Sequence, residues 1–279
     1  MIRFTKMEGI GNDYIYINGF EEHIEDPSAL AVKMSRYHFG CYSDGLIMIL
    51  PSDKADFRMQ MFNNDGSESE MCGNGIRCVA AYCHDRGLTD KTVFTIESGG
   101  GIKTMHLTLE GGKTKAVRVD MGAPLLDGPS IPSTVQGGPV IGLPLTANGN
   151  TYHFTLVNMG NPHAVCFVDD PLTAPVTVDG PVLECDPTFP RKANIEFVQV
   201  IDRTHAKMRV WERGTGETLA CGTGACAVLV ACVLGGLTER KAEVELPGGV
   251  LELEWNEEDG HVYMTGPATF IYDGVWLQD

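Results

Sequence analysis

Two cysteines of this 279-residue chain stand in the same setting. Cys72 leads Cys72-Gly73-Asn74-Gly75 and Cys221 leads Cys221-Gly222-Thr223-Gly224, and each is followed by a run of good helix formers, Ile76 to Ala81 in one case and Ala225 to Val230 in the other. Each thiol is thus predicted at a helix N-terminus, where N–H groups and the positive end of the helix dipole favour the thiolate and lower a pKa that starts near about 8.5. The glycines let the backbone approach a ligand closely and turn several N–H groups toward an anion such as a carboxylate. Two such loops facing each other would grip one carboxylate between two helix ends, with a sulfur on either side of the adjacent carbon. That is the geometry for a two-base epimerisation. One thiolate removes the α-proton, the other thiol reprotonates the opposite face, and the N–H groups stabilise the charge that develops on the carboxylate.

Other readings of the cysteines compete with this one. Cys78, Cys83, Cys226 and Cys232 fall on the apolar helices and read as packing residues. Structural zinc wants closely spaced pairs such as Cys-x-x-Cys, and the sequence has none, so no metal is expected. No lysine stands in a recognisable pyridoxal motif, and the expectation is an enzyme without a cofactor. Racemisation of another amino acid, such as proline or 4-hydroxyproline, would use the same two-cysteine logic. A noncatalytic amino-acid-binding protein could reuse the cleft, although binding alone does not require two opposed thiols.

The elements that position the cysteines come in two sets. Gly is 33 of 279 residues, well above the usual share of about 7%, and turn clusters punctuate many short β-branched runs. Strands are expected at 14–18, 45–50, 56–62, 93–97, 115–121, 153–157, 164–168, 195–201, 207–211 and 261–264, and helices at 27–37, 75–85 and 224–234. Aligning the two cysteine motifs sets an offset of 149 residues, which also brings Gly11-Asn12 onto Gly160-Asn161, Gly45 onto Asn194, Phe62 onto Trp211, Cys83 onto Cys232 and Gly99-Gly100 onto Gly248-Gly249. Gapless matches in order imply two copies of one α/β unit, with equivalent loops around a pseudo-twofold axis and the cysteines facing across the cleft. The expected division is residues 1–123 with 266–279 as the domain carrying Cys72, and 124–265 as the domain carrying Cys221. The break lies in the Pro- and Gly-rich stretch from Ala123 to Asn150.

Composition narrows the partners. Lys and Arg total 21 against 37 Asp and Glu, a formal charge of −16, which argues against nucleic acid or an anionic membrane surface and for local groups as the captors of any anionic substrate. Nine cysteines at irregular spacings, with no signal peptide over Met1 to Asp13, read as reduced thiols of a cytoplasmic protein. The uncharged stretch from Leu219 to Leu237 has a continuous apolar part only over Ala225 to Leu234. That is too short to cross a bilayer and fits a buried helix.

Taken together the motifs resemble the diaminopimelate epimerase family nearly end to end. The resemblance rests on Met7-Glu8-Gly9-Ile10-Gly11-Asn12-Asp13, Phe62 to Glu68, Met71 to Cys78, Met159-Gly160-Asn161-Pro162-His163, Trp211-Glu212-Arg213-Gly214 and Glu217 to Ala227. It implies an α/β (α+β) fold of two pseudo-symmetric domains from an internal duplication, each a curved, mostly antiparallel sheet wrapped around a central helix, with the active site in the interdomain cleft. It implies cofactor-independent interconversion of LL- and meso-diaminopimelate in lysine and peptidoglycan biosynthesis, with Cys72 and Cys221 as the conventional proton donor and acceptor. The substrate α-carboxylate would lie on the backbones of Gly73-Asn74 and Gly222-Thr223. Asn12, Asn63, Asn161, Asn194, Glu212 and Arg213 would hold the amino groups and the second carboxylate, groups for which neutral amides suit because they both donate and accept. His163 and Glu212 match residues that tune the two sulfurs, and Tyr272 matches a position associated with a homodimer. One departure stands out. The family usually reads Gly-Ile-Gly where this chain has Gly40-Cys41-Tyr42, so Tyr42 is expected to reshape the approach to the substrate.

Overall fold

The structure is a computed structural model that describes residues 1–277. Gln278 and Asp279, the end of the range assigned from sequence to the first domain, lie outside the described residues. The chain divides into two compact units, Met1–Asp120 joined by the C-terminal segment from Thr265, and Met121–Met264. No helix among the described residues is long and apolar enough to cross a membrane.

In the first unit β1 (Ile2–Gly9), β2 (Asn12–Asn18), α1 (Pro27–Ser35), β3 (Gly45–Leu50), β4 (Phe57–Asn63), the short β5 (Glu68–Ser69), α2 (Gly73–Asp85), β6 (Val93–Ser98), β7 (Gly101–Glu110) and β8 (Lys113–Asp120) follow in order. The second holds β9 (Leu143–Ala147), β10 (Asn150–Asn158), β11 (Pro162–Phe167), α3 (Val176–Glu184), β12 (Asn194–Asp202), β13 (His205–Glu212), the short β14 (Gly216–Glu217), α4 (Gly222–Leu234), β15 (Lys241–Leu246) and β16 (Gly249–Trp255). β17 (Val262–Gly266) spans the end of the second unit and the return to the first, where β18 (Thr269–Trp276) follows.

An offset of 149 carries α1 onto α3 and α2 onto α4 without an end residue to spare. The pairing repeats as well. β1 and β2 are antiparallel, β2 and β3 parallel, β3 and β4 antiparallel, and β4 and β6 parallel; β10 to β11, β11 to β12, β12 to β13 and β13 to β15 follow the same pattern. Even the register is kept, since Tyr14 opposite Gly45 becomes His163 opposite Asn194. The outer strand of each unit comes from beyond its own copy of the repeat. β9, which follows the first copy, pairs with β10 of the second, and β18, which follows the second copy, pairs with β1 of the first.

Both faces of each sheet are covered, and this explains the near-continuous apolar strands. On β2 and β3, Ile15, Ile17, Leu46 and Met48 meet Leu30, Ala31 and Met34 of α1 in one cluster. The alternate residues, such as Tyr16, face α2, where its hydroxyl reaches the Gly75 carbonyl at 3.5 Å. In the second unit Ala164, Cys166, Ile195 and Phe197 pack with Val176 and Leu183 of α3. The helices behind the other face are enclosed all round. α2 is buried from Gly73 through Cys83, Asn74 and Arg77 included, and α4 from Gly222 through Cys232 save Thr223; for α4 this is as expected of a helix apolar on every side.

α3 is absent from the sequence expectation because Gly180, Pro181 and its β-branched residues are poor helix material. Asp179 compensates. Its buried carboxylate accepts from Asn148 Nδ2 at 2.8 Å, Asn150 Nδ2 at 2.8 Å and Tyr152 Oη at 2.6 Å, tying α3 to the β9–β10 hairpin. Burial pushes this carboxyl up, but the donors from Tyr152, Asn148 and Asn150 outweigh it and hold the pKa below the usual carboxylate range. A depressed pKa means that the contribution to stability is present above the unfolded value and is lost as pH falls through the folded one. Asp179→Asn should therefore lower the urea midpoint at neutral pH by the equivalent of about 1–3 kcal/mol. The gap to wild type should close in acid, below about pH 3.9; a gap independent of pH would exclude the carboxylate as its source.

Candidate active site

In the first unit Cys72 is the N-cap of α2, with extended backbone (φ −136°, ψ 113°). Its sulfur accepts from Gly75 N–H at 3.2 Å and donates to Asn12 Oδ1 at 3.1 Å. Asn12 is held from the other side, its Nδ2 donating to Asp44 Oδ2 at 2.6 Å, and Asn74 Nδ2 lies 3.4 Å from the same Asn12 oxygen. Asn63 ends β4 and donates from Nδ2 to Ser67 Oγ at 2.9 Å. The start of β2, through Asn12, and the start of α2 therefore converge on one sulfur. Tyr14 backs them, buried; burial, then the neighbouring Cys72, pushes its hydroxyl well above the usual tyrosine range.

In the second unit Cys221 caps α4 with nearly the same backbone (φ −125°, ψ 102°), buried, its sulfur 3.7 Å from Thr223 Oγ1. His163 is fully buried, with Nδ1 2.6 Å from Glu196 Oε1 and Nε2 2.9 Å from Asn161 Oδ1. Asn194 is a backbone clamp. Its Nδ2 donates to the Pro162 carbonyl at 2.8 Å and its Oδ1 accepts from Arg213 N–H at 2.9 Å. Arg213 itself is exposed, with one guanidinium nitrogen 3.3 Å from the Arg191 carbonyl, and Thr218 Oγ1 donates to Glu212. Gly222 and Thr223 open α4 as Gly73 and Asn74 open α2. A helix's first turn leaves N–H groups without intrahelical acceptors, which suits a carboxylate there.

The expectation of a lowered thiol pKa fails at Cys221. Burial comes first, and the carboxylates of Glu212 and Glu196 add to it, raising this thiol well above its ordinary value against the smaller pull of Gly224 N–H and Thr223. The helix end is present but outweighed. Three residues around the sulfurs escaped the sequence reading: Asp44, Tyr14 and Glu196. The signal for Glu196 was a carboxylate inside the apolar run Ile195-Glu196-Phe197-Val198, of which every member is fully buried. Among the described residues no group of three His, Cys, Asp or Glu side chains could hold a metal ion.

A family model for diaminopimelate epimerase matches residues 4–126 and 155–271. The diaminopimelate epimerase of Acetivibrio thermocellus is 56% identical over 273 residues, 98% of each chain, and that of Methanococcus maripaludis 54% over 273 residues, 98% of this chain and 99% of its own. The chain belongs to the diaminopimelate epimerase family. Among solved structures, a probable proline racemase from Agrobacterium radiobacter K84 superposes with a TM-score of 0.72 over 100% of this chain and 94% of its own, at 14% identity. That likeness is one of fold, and the far higher identity to diaminopimelate epimerases decides between the two readings of the cysteine pair. It also decides against a noncatalytic binding protein.

Tyr42, the departure from the diaminopimelate epimerase pattern, has φ +49°. A left-handed backbone explains why glycine is usual there. The chain keeps the turn by fixing it from outside: buried Lys6 donates to the carbonyls of both Cys41 and Tyr42 and pairs with Asp13, and the Tyr42 ring lies 4.7 Å from that of Tyr37.

Gly224 shows how tightly the second cysteine is enclosed. A Cβ built there would lie 3.0 Å from Glu196 Oε1 and 3.1 Å from Cys221 Sγ, whereas one on the equivalent Gly75 would lie 2.7 Å from Ile47 Cδ1 and 3.5 Å from Cys72 Sγ. Gly224→Ala should therefore displace either sulfur or carboxylate. The expected outcome is a kcat lowered about 10-fold or more in a protein that still folds; turnover equal to wild type would show that the close approach is not needed.

Proposed function

We propose that Cys72 and Cys221 are the two acid–base groups of a cofactor-independent epimerisation of LL-2,6-diaminopimelate to meso-diaminopimelate. The observation that carries this reading is the repetition of one device: a cysteine at the N-cap of a buried helix in each of two units built on the same register. A single thiol could abstract and return a proton on one face only. Inversion needs a second group on the opposite face, and duplication supplies it.

In the proposed reaction one sulfur, as thiolate, takes the α-proton, and the electron pair left on carbon spreads into the adjacent carboxylate. N–H groups at the starts of α2 and α4, on Gly73-Asn74 and Gly222-Thr223, stabilise that charge. The other sulfur, as thiol, delivers its proton to the opposite face and leaves as thiolate. One proton is lost and one gained, so the step needs neither oxidant nor carrier. Roles exchange in the reverse direction, with Cys72 the donor and Cys221 the acceptor in the conventional assignment. His163 and Glu212 tune the two sulfurs. Asn12, Asn63, Asn161, Asn194, Glu212 and Arg213 hold the amino groups and the distal carboxylate. The exposed Arg213, whose backbone is pinned by Asn194, is the natural partner of that carboxylate.

The wider setting belongs to the same reading: a cytoplasmic enzyme with reduced thiols, its domains at 1–123 with 266–279 and at 124–265, acting as a homodimer. Tyr272, half-exposed on β18 beside Phe4, lies in the dimer interface of this proposal.

The deciding experiment is proton NMR in deuterated water of the reduced protein with LL-diaminopimelate, and with proline in parallel. Wild-type protein should exchange the diaminopimelate α-proton and accumulate the meso isomer. Cys72→Ala and Cys221→Ala should each lose epimerisation by about 10²-fold or more while keeping the fold, and near wild-type turnover in either would end the two-base assignment. Arg213→Met should raise the KM for diaminopimelate by about 10-fold or more through loss of a charge-assisted contact; an unchanged KM would move the distal carboxylate elsewhere.

A further inference from the structure

The second unit buries a carboxylate that the reaction as proposed does not use. Glu196 lies on β12 with no exposed surface. One of its oxygens is 2.6 Å from His163 Nδ1, and the other has no hydrogen-bond partner among the described residues. Burying a carboxyl group with half its acceptors empty is costly, and packing alone does not retain one.

The first unit provides an internal control. The offset of 149 that superimposes the two registers places Tyr14 at the position of His163 and Ile47 at that of Glu196. There the same strands, paired in the same way, carry an apolar residue against the helix, and Ile47 is as fully buried as Glu196. The fold thus accepts a hydrocarbon at this point. What differs is the neighbourhood of the sulfur, for across Gly224 only a glycine hydrogen stands between Glu196 Oε1 and Cys221 Sγ, where Ile47 takes that place beside Cys72.

We infer that Glu196 is a positioning residue of the Cys221 half-site: its carboxylate accepts from His163 Nδ1–H while Asn161 Oδ1 accepts from Nε2–H, so the ring is held in one orientation by an acceptor on each nitrogen. A histidine between a carboxylate oxygen and an amide oxygen has a single arrangement that satisfies both, with a proton on each ring nitrogen. Remove the carboxylate's charge and nothing balances the second ring proton, so the one on Nδ1 loses its acceptor. This rests on the proposed function only in taking the Cys221 half-site to act on the substrate. The titratable groups that face Glu196 are His163 and Cys166 from β11, Glu212 from β13 and Cys221 from α4.

The test is Glu196→Gln, an isostere whose amide can either donate to or accept from Nδ1. Enzyme carrying ¹⁵N-histidine, with the His163 resonances assigned by comparison with His163→Gln, should show a proton on Nδ1 in wild type. In Glu196→Gln the Nδ1 proton should be lost while Nε2–H stays on Asn161. In both reaction directions kcat should fall about 10- to 100-fold, with KM changed by less than about threefold and the circular dichroism spectrum kept. A variant kcat within about twofold of wild type, or a wild-type Nδ1 without its proton, overturns the proposal. Should Glu196→Gln fail to fold, the wild-type ring nitrogens decide it alone. Absence of diaminopimelate turnover in wild type would defeat the proposed function, whereas the ring nitrogens report on the Glu196–His163 pair without any turnover.

Discussion

A helix that is buried on every side can offer chemistry only at its ends. α2 and α4 are such helices, each walled in by the sheet of its own unit, and each begins with a cysteine as N-cap followed by glycine. The orphan N–H groups of a buried helix start must meet a partner. That requirement makes the start of each helix a place for an anion, and the cap position puts a sulfur beside it. The rest of each unit serves to bring other segments to the same point. The register of β2 on β3 and of β11 on β12 sets Tyr14 and His163, and the ends of β4 and β13 bring Asn63 and Glu212.

The two units share a backbone and differ in charge. Around Cys72 the equivalent positions hold Tyr14, Ile47 and Asn63; around Cys221 they hold His163, Glu196 and Glu212. A duplicated binding site would have no need of the difference. The proposed reaction does, because at any moment one sulfur must hold a proton that the other lacks, and two identical environments would not settle which. Side-chain substitution on a conserved register lets the chain unbalance the pair without disturbing the strand pairing that locates it.

Much of this was legible in the sequence, and the reasons divide cleanly. The Cys-Gly-x-Gly repeats announced themselves because capping chemistry is local, and α2, α4 and β3 followed from short-range pattern. α3 did not, since Gly180 and Pro181 argue against a helix and its support comes from another element, the β9–β10 hairpin, whose Asn148, Asn150 and Tyr152 hold the α3 carboxylate of Asp179. The repeat nonetheless contained it, as α1 shifted by 149. Glu196 was hidden for the opposite reason. Between Ile195 and Phe197 it reads as the outward residue of a half-exposed strand, and only the helix on the far face turns that side into interior.

The thiol of Cys221 shows why a motif alone does not fix its own chemistry. A helix end favours an anion by about 0.3–1 kcal/mol in ordinary settings, whereas complete burial of an ionised group costs about 4 kcal/mol or more. Burial and two nearby carboxylates act together on this sulfur, so the larger effect wins and the thiol is held protonated. Such a group gives up its proton reluctantly until something positive arrives to offset the carboxylates. An amino-acid substrate carries that charge next to the carbon that must be protonated or deprotonated. In the proposed reaction the field that suppresses the thiolate in the resting protein would therefore tie the ionisation of Cys221 to the arrival of substrate.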